Sequence, residues 1–186
     1  MNHEIYADHA ATAPIEPLAL EAMYTAYQEY ANPAALYRSA LHTKQTVEKA
    51  RLTVAENLGC TPDHIFFTSG GSEADNQAIV SAAENGARKG KKHLISTKFE
   101  HHAVLHTLDK LRRQGFEVTL LDVHEDGVVR VEDVAAAIRD DTALVSVMFA
   151  NNEIGTLQPI QAIGALCRER GVPFLSLIHI SEPTRP

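Results

Sequence analysis

The sequence has only two cysteines, Cys60 and Cys167. Two thiols are too few for a disulfide framework and favour a reducing compartment. No apolar run approaches the roughly 20 residues that a membrane-spanning helix needs. The first residues also lack the basic segment and apolar core of a secretory signal. We therefore expect a cytoplasmic location and no membrane partner.

Basic residues are scarce as well. The chain has 17 Lys and Arg against 24 Asp and Glu, a formal net charge of −7, and only residues 88–92 form a basic cluster. This balance argues against a dedicated nucleic-acid-binding protein. The 186 residues, 45% of them hydrophobic and 22% charged, are enough for one domain, or part of a larger one, with a buried core.

Short strand-like runs alternate with longer helical patterns along most of the chain. The predicted strands cover residues 64–68, 93–97, 116–123 and 142–150, and a further strand begins at residue 172. The predicted helices begin near Pro17 and at Ser72, and three more cover residues 103–113, 131–139 and 159–170. This alternation predicts an α/β fold with a mostly parallel sheet and flanking helices.

A glycine pair lies between the first predicted strand and the helix that follows it. Gly70 and Gly71 would let backbone N–H groups approach a ligand, and Ser72 would open the helix. A helix N-terminus with unpaired N–H donors is a natural phosphate site. Ser72 could equally be a simple N-cap, with Asp75 completing a capping-box-like turn. The segment matches neither the Walker loop nor the dinucleotide glycine motif.

Polar residues follow two later strands. His101 comes after the strand at 93–97, and Asn152 comes after the strand at 142–150. Because the carboxyl ends of parallel strands form one edge, the three strand ends should converge there on a ligand. We expect Glu100 and Asp109 to be ordinary surface charges.

A metal site and a cysteine nucleophile are the other chemistries to consider. His102 and His106 have the spacing of two metal ligands on a helix, but no third ligand is evident, and we predict no metal. We expect Cys60 in a buried or half-buried loop and Cys167 in the core. Neither has a neighbour that would activate a thiolate, so we assign neither as nucleophile.

Five short motifs, in this order and spacing, resemble those of the NifS/IscS-type cysteine desulfurases, class V members of the pyridoxal-phosphate fold-type I enzymes. The motifs are YADHAAT at 6–12, NP at 32–33, TSGGSEADN at 68–76, EHHAV at 100–104 and NNEIG at 151–155. The resemblance runs from about residue 4 to Phe174, roughly the first half of a family chain. It implies a truncated fold-type I large domain, with an N-terminal arm at 1–15 on the small-domain side and half of the cofactor-binding domain at 16–174.

The resemblance also implies pyridoxal 5′-phosphate as the cofactor. Gly71 and Ser72 would donate to its phosphate, with serine where the family more often has threonine. His101 would stack on the pyridine ring and help to move protons, and Asn152 would hydrogen-bond the ring's 3-oxygen. The implied reaction converts L-cysteine to L-alanine and leaves the sulfur on an enzyme cysteine as a persulfide, for iron–sulfur clusters or tRNA thiolation.

For the intact enzyme, the resemblance implies a homodimer that passes sulfur to an acceptor protein, without direct contact with nucleic acid. Two alternatives stay open. The parent could be another class V enzyme, such as a selenocysteine lyase or an aminotransferase. The chain could also be a truncated, non-catalytic paralogue.

Several family features expected after Phe174 are not in the sequence. They are an aspartate for the pyridine nitrogen, the lysine that binds the cofactor covalently, and the loop cysteine that accepts sulfur. We therefore expect the 186-residue chain to be inactive. Residues 175–186 resemble the translation of an adapter used for sequencing libraries, so we interpret them as a non-native tail without a functional role.

Overall fold

The structure is a computed structural model that describes residues 5–9 and 12–177. The chain divides into two compact units, residues 1–67 and residues 68–186. Within the described part, no helix is long and apolar enough to cross a membrane. The predicted division into 1–15, 16–174 and 175–186 stays a prediction.

The described residues of the first unit form two helices and a short 3-10 turn. Helix α1 spans Pro17–Tyr27, helix α2 spans Arg38–Leu58, and the turn covers Pro62–His64. Helix α1 begins at a proline, which is favourable there, because the first helical N–H has no helical partner. Helix α2 ends at Gly59, whose φ of +68° lies in the left-handed region that favours glycine. Sequence reasoning missed α2, although the Leu58–Gly59 stop signal could have revealed its end.

Two predictions for this unit are wrong. Residues 64–68 form no strand, because the carbonyl of Ile65 accepts a hydrogen bond from the Arg51 guanidinium instead of pairing with a neighbouring strand. The same guanidinium lies 5.0 Å from the centre of the Phe67 ring. Cys60 is exposed rather than buried, because its N–H closes the end of α2 on the carbonyl of Ala55 and its side chain remains outside.

The described residues of the second unit are built on a four-stranded sheet. All neighbouring strands are parallel, in the order β2–β1–β3–β4. Strands and helices alternate along the chain as α3 (Gly71–Ala87), β1 (His93–Thr97), α4 (His102–Arg113), β2 (Glu117–Leu121), α5 (Val131–Ala137), β3 (Thr142–Ser146), α6 (Ile160–Glu169) and β4 (Phe174–Leu175). The predicted parallel α/β fold is therefore confirmed, although the strands predicted at 116–123 and 142–150 were too long.

Both faces of the sheet carry a hydrophobic core. On one face, residues of α3 and α4 pack against Leu94 and Leu144, and on the other, residues of α5 and α6 pack against Ile95 and Val145. Because successive side chains of a strand point to opposite faces, helices on both sides bury every residue of β1 and β3. Cys167 lies in the second core, as predicted, and burial raises the pKa of its thiol to about 11.

The chain continues along β3 beyond the last assigned strand. The N–H groups of Val147 and Phe149 donate to the carbonyls of Leu175 and Leu177, each at 3.0 Å, and Leu177 packs into the first core. Residues 175–177 of the predicted tail therefore lie beside the sheet. Residues 178–186, with the rest of that prediction, lie outside the described residues.

Candidate functional site

Helix α3 begins at the glycine pair and leaves its first turn open. Its N-cap is Gly70, which makes no side-chain capping bond, and Ser72 lies inside the first turn. The capping interpretation of Ser72 and Asp75 is therefore wrong, because the helix starts two residues earlier than an N-cap at Ser72 requires. Asp75 is instead buried, and its Oδ2 has no hydrogen-bond partner among the described residues.

The space in front of α3 suits an anion. A Cβ added at Gly70 would meet no atom within 4 Å, and one at Gly71 would meet only Leu177 Cδ1, at 3.9 Å. The first-turn N–H groups have no partner within the helix, and they stand at the positive end of its dipole. Together with the Ser72 hydroxyl, they form the donor set that a phosphate requires.

His101 is held at the start of α4. It is the N-cap residue, and its Nδ1 accepts a hydrogen bond from the N–H of Ala103 at 3.1 Å. His101 and Ser72 line one cavity of about 470 Å³. Beside it, the Thr107 hydroxyl donates to Asn76 Oδ1 at 2.7 Å, and Asn76 Nδ2 donates to the carbonyl of Ser72 at 2.7 Å. These bonds connect α4 to the start of α3.

His101 also lines a second cavity, of about 310 Å³, which it shares with Asn152. The neighbouring Asn151 is buried and shapes the loop. Its Nδ2 donates to the carbonyl of Phe99 at 2.9 Å, and its Oδ1 accepts from the N–H groups of Glu153 and Ile154 at 2.8 and 2.9 Å. The structure thus brings His101 beside Ser72 on one side and beside Asn152 on the other.

The expectation of three converging strand ends needs a correction. Residues 151–155 follow β3, and residues 100–101 follow the adjacent parallel strand β1. The glycine pair follows residues that form no strand, so the third component is a helix N-terminus alone. The cofactor roles of Gly71, Ser72, His101 and Asn152 stay predictions.

Glu100 is not a surface charge, contrary to prediction. It is 5% exposed, because it follows the buried strand β1 and turns inward. Its Oε1 accepts from the Met148 N–H at 2.7 Å and the Thr97 hydroxyl at 3.1 Å, whereas its Oε2 has no partner among the described residues. Burial raises the pKa of Glu100 to about 7, although these hydrogen bonds act in the opposite direction. Asp109 is exposed, as predicted, and pairs with Arg112.

Asp75 is the second buried carboxyl group near the site. Burial raises its pKa, and the nearby His101 partly opposes that rise. The negative charge of Asp75 in turn raises the pKa of Glu100. Sequence reasoning missed both carboxyls as site features, since nothing in the local sequence distinguishes a buried Glu or Asp from an exposed one.

The His102–His106 pair is present on α4 with its ring centres 5.5 Å apart. In the described ranges, no group of three or more His, Cys, Asp or Glu side chains is arranged to hold a metal ion. The prediction that the site holds no metal stays a prediction.

Comparison with known proteins gives a consistent set of relatives. The family model Aminotransferase class-V matches residues 5–176. The cysteine desulfurase IscS of Clostridium botulinum is 50% identical over 175 residues, which are 94% of this chain and 44% of that protein. The cysteine desulfurase IscS of Methanosarcina thermophila is 45% identical over 174 residues, 93% of this chain and 43% of that protein.

Solved structures agree. A structure of SspA in complex with cysteine superposes on this chain with a TM-score of 0.87 at 37% identity. The match covers 92% of this chain and 49% of that one. A NifS-like protein superposes with a TM-score of 0.85 at 35% identity and covers 92% of this chain and 47% of its own. The chain thus spans less than half the length of the relatives that it matches.

Proposed function

The chain belongs to the class-V aminotransferase family, and on this basis we propose that it is the N-terminal half of a pyridoxal 5′-phosphate-dependent cysteine desulfurase. The observation that carries the proposal is the placement of His101 between the open start of α3 and the Asn152 loop. This arrangement offers phosphate donors on one side and a polar side chain on the other, as a phosphorylated pyridine would need.

The residues present fit the cofactor. The start of α3 supplies the N–H groups of Gly71 and Ser72 and the Ser72 hydroxyl as donors. A Cβ added at Gly70 or Gly71 would meet no atom closer than 3.9 Å, so the space there is open. The side-chain amide of Asn152 can donate to an oxygen on the ring, and the imidazole of His101 can stack on its face. Bound there, pyridoxal phosphate would supply an electron sink for breaking the C–S bond of L-cysteine.

The hydrogen bond at His101 indicates which ring nitrogen can donate a hydrogen bond to a ligand. Because Nδ1 accepts the Ala103 N–H, the neutral imidazole carries its proton on Nε2. The Nε2–H group is therefore the one that would donate a hydrogen bond toward the substrate. His101 can do this without losing its place, since the bond at Nδ1 fixes the ring orientation.

The names of the relatives support L-cysteine as the substrate of the parent enzyme. The same proposal includes alanine as a product, transfer of sulfur to an acceptor protein for iron–sulfur clusters or thiolated tRNA, a homodimer and a cytoplasmic location. It also includes the arm at 1–15, the half-domain at 16–174 and the non-native tail at 175–186.

Binding of pyridoxamine 5′-phosphate to the 186-residue chain tests the cofactor assignment. This probe carries the phosphate and the ring but no aldehyde, so it cannot react with a lysine elsewhere. Followed by amide NMR, it should shift the resonances of Gly71, Ser72, His101 and Asn152. Inorganic phosphate alone should shift only the first two.

Two serine variants of α3 form a matched pair. Ser72→Ala should weaken probe binding about tenfold, since it removes a hydrogen bond to a charged group. Ser81→Ala, at an exposed position later in the same helix, should leave binding unchanged. The assignment would be wrong if the probe shifted none of the four resonances, or if the two variants bound it equally.

A further inference from the structure

We propose that Glu100 is a positioning residue that holds the loop carrying Asn152 in register with the loop carrying His101. The first loop, residues 147–159, connects β3 to α6, and the second, residues 98–101, connects β1 to α4. The inference rests on the proposed function only for the identity of the ligand between the loops. The role itself concerns residues that contact each other without a ligand.

The carboxyl group of Glu100 joins the two loops directly. Its Oε1 accepts the N–H of Met148, at the start of the β3–α6 loop, at a distance of 2.7 Å. The hydroxyl of Thr97, the last residue of β1, donates to the same oxygen at 3.1 Å and orients the carboxyl. Glu100 is buried, so water does not compete for these bonds.

Asn151 provides a second connection in the opposite direction. Its side-chain N–H donates to the carbonyl of Phe99, one residue before Glu100. Its oxygen orders the turn at Glu153 and Ile154, and Asn152 lies between that turn and Asn151. A displacement of Met148 would therefore reach Asn152 through the three residues between them, of which Asn151 is held by the same loop as Met148.

The second carboxyl oxygen of Glu100 makes the connection sensitive to pH. Oε2 is buried and finds no hydrogen-bond donor among the residues described, and this favours a protonated carboxyl. Asp75 faces it from α3, and the two loops and the first turn of α4 contribute the other charged or titratable groups of the cavity: Lys98, His101, His102 and Glu153. Glu100 should therefore gain and lose its proton close to neutral pH.

Three variants of the 186-residue chain separate these effects in ligand-free amide NMR. Glu100→Gln keeps an oxygen that can accept from Met148 and Thr97, and should preserve the resonances of Met148 and Asn152. Glu100→Leu removes the acceptor, and should shift both resonances and speed hydrogen exchange at Met148 about tenfold or more. Glu153→Gln removes a charge from the same cavity without breaking a hydrogen bond seen in the described structure, and serves as the control.

A pH titration provides a readout that a merely structural role would not move. Between about pH 5 and about pH 9, the Met148 amide of the unmodified chain should show a step near pH 7. The step should persist in Glu153→Gln and disappear in Glu100→Gln. A step that survives in Glu100→Gln, or unchanged resonances in Glu100→Leu, would overturn the proposal.

Two further measurements keep the test decisive. If Glu100→Leu does not fold, Thr97→Val removes only the donor that orients the carboxyl, and an unchanged Asn152 resonance in that variant would overturn the proposal. If pyridoxamine 5′-phosphate does not bind the unmodified chain, the proposed function fails, while the ligand-free data still decide the role of Glu100. If the probe binds, Glu100→Leu should reduce the shift that the probe causes at the Asn152 resonance and leave its shift at the Gly71 resonance unchanged.

Discussion

Two buried titratable side chains make the stability of the second unit depend on pH in opposite directions. Glu100 has a raised pKa, so folding favours its neutral form, and its contribution to stability is lost as the pH rises from about 4.5 through about 7. His93, at the start of β1, has a lowered pKa because it is fully buried and close to the charge of Arg139. The neutral form of His93 is favoured too, but the stability that this form provides is lost as the pH falls.

The surroundings of His93 explain why the neutral ring is well accommodated. Its Nδ1 lies 2.9 Å from the Thr142 hydroxyl and its Nε2 lies 2.8 Å from the Thr119 hydroxyl. A hydroxyl can donate or accept, so two threonines satisfy one N–H and one bare nitrogen. His93 thereby bridges β1 to both of its neighbours.

We predict that His93 makes the second unit sensitive to acid. Below about pH 6.5, the unfolded chain takes up a proton at His93 that the folded chain resists, so the free energy of unfolding falls until the pH reaches the lowered pKa. Urea unfolding followed by circular dichroism should show a weaker pH dependence below about pH 6.5 for His93→Gln than for the unmodified chain. His106→Gln, which changes an exposed histidine, is the control. An unchanged dependence in His93→Gln would contradict the prediction.

At the scale of elements, helix α3 packs closely against the sheet at Gly86. Gly86 lies in the last turn of this helix. It is also buried, and a Cβ built on it would lie 2.4 Å from the Cβ of Ala143 on β3. The glycine therefore lets helix and strand pack together, a role that only the partner strand reveals.

Two glycine-to-alanine substitutions should separate packing from helix propensity. Gly86→Ala should destabilise the second unit by about 1–3 kcal/mol, because overpacking outweighs the gain in helix propensity of roughly 1 kcal/mol. Gly164→Ala in α6 should be neutral or stabilising, since its Cβ would meet Phe174 at an ordinary 3.5 Å. Urea midpoints measure both. Equal effects of the two substitutions would show that the close approach of α3 to β3 does not limit stability.

At the scale of the whole molecule, the buried apolar side chains are concentrated in the second unit. Both hydrophobic cores lie there, whereas helix α1 buries no residue and α2 buries only Ala40 and Ala55. Large apolar side chains of the first unit are exposed, such as Tyr27 at 80% and Leu36 at 92%. Because packing of an apolar face supplies most helical stability, the two units should differ in stability.

Hydrogen exchange measured by mass spectrometry on the 186-residue chain should show this difference. Peptides covering β1 and β3 should exchange slowest, at rates set by unfolding of the second unit. Peptides covering α1 should exchange fastest among the helices, because little tertiary packing opposes their opening. Exchange of α1 as slow as that of β3 would contradict the prediction and would mean that another surface covers the helix.

The apolar periodicity of the sequence and the order of its motifs predicted much of the fold and the family. Strand β1 was predicted with its observed bounds, and α4 and α6 within one residue at each end, because alternating apolar patterns are local properties of the chain. The α/β class followed from the same patterns, since parallel strands need a crossover connection, which is usually a helix. The family followed from five short motifs whose order no single element explains.

The tertiary structure decided the conformation and burial of residues whose partners are distant in the sequence. Residues 64–68 have the composition of a strand but no strand to pair with, since Arg51 binds the carbonyl of Ile65. From the sequence, Glu100 is expected to be a surface charge. In the fold its carboxyl is buried and accepts hydrogen bonds from Thr97 and from Met148, which is 48 residues away in the sequence. A sequence pattern records the apolar periodicity that drives folding, whereas the burial of one charged group depends on contacts that exist only after the chain has folded.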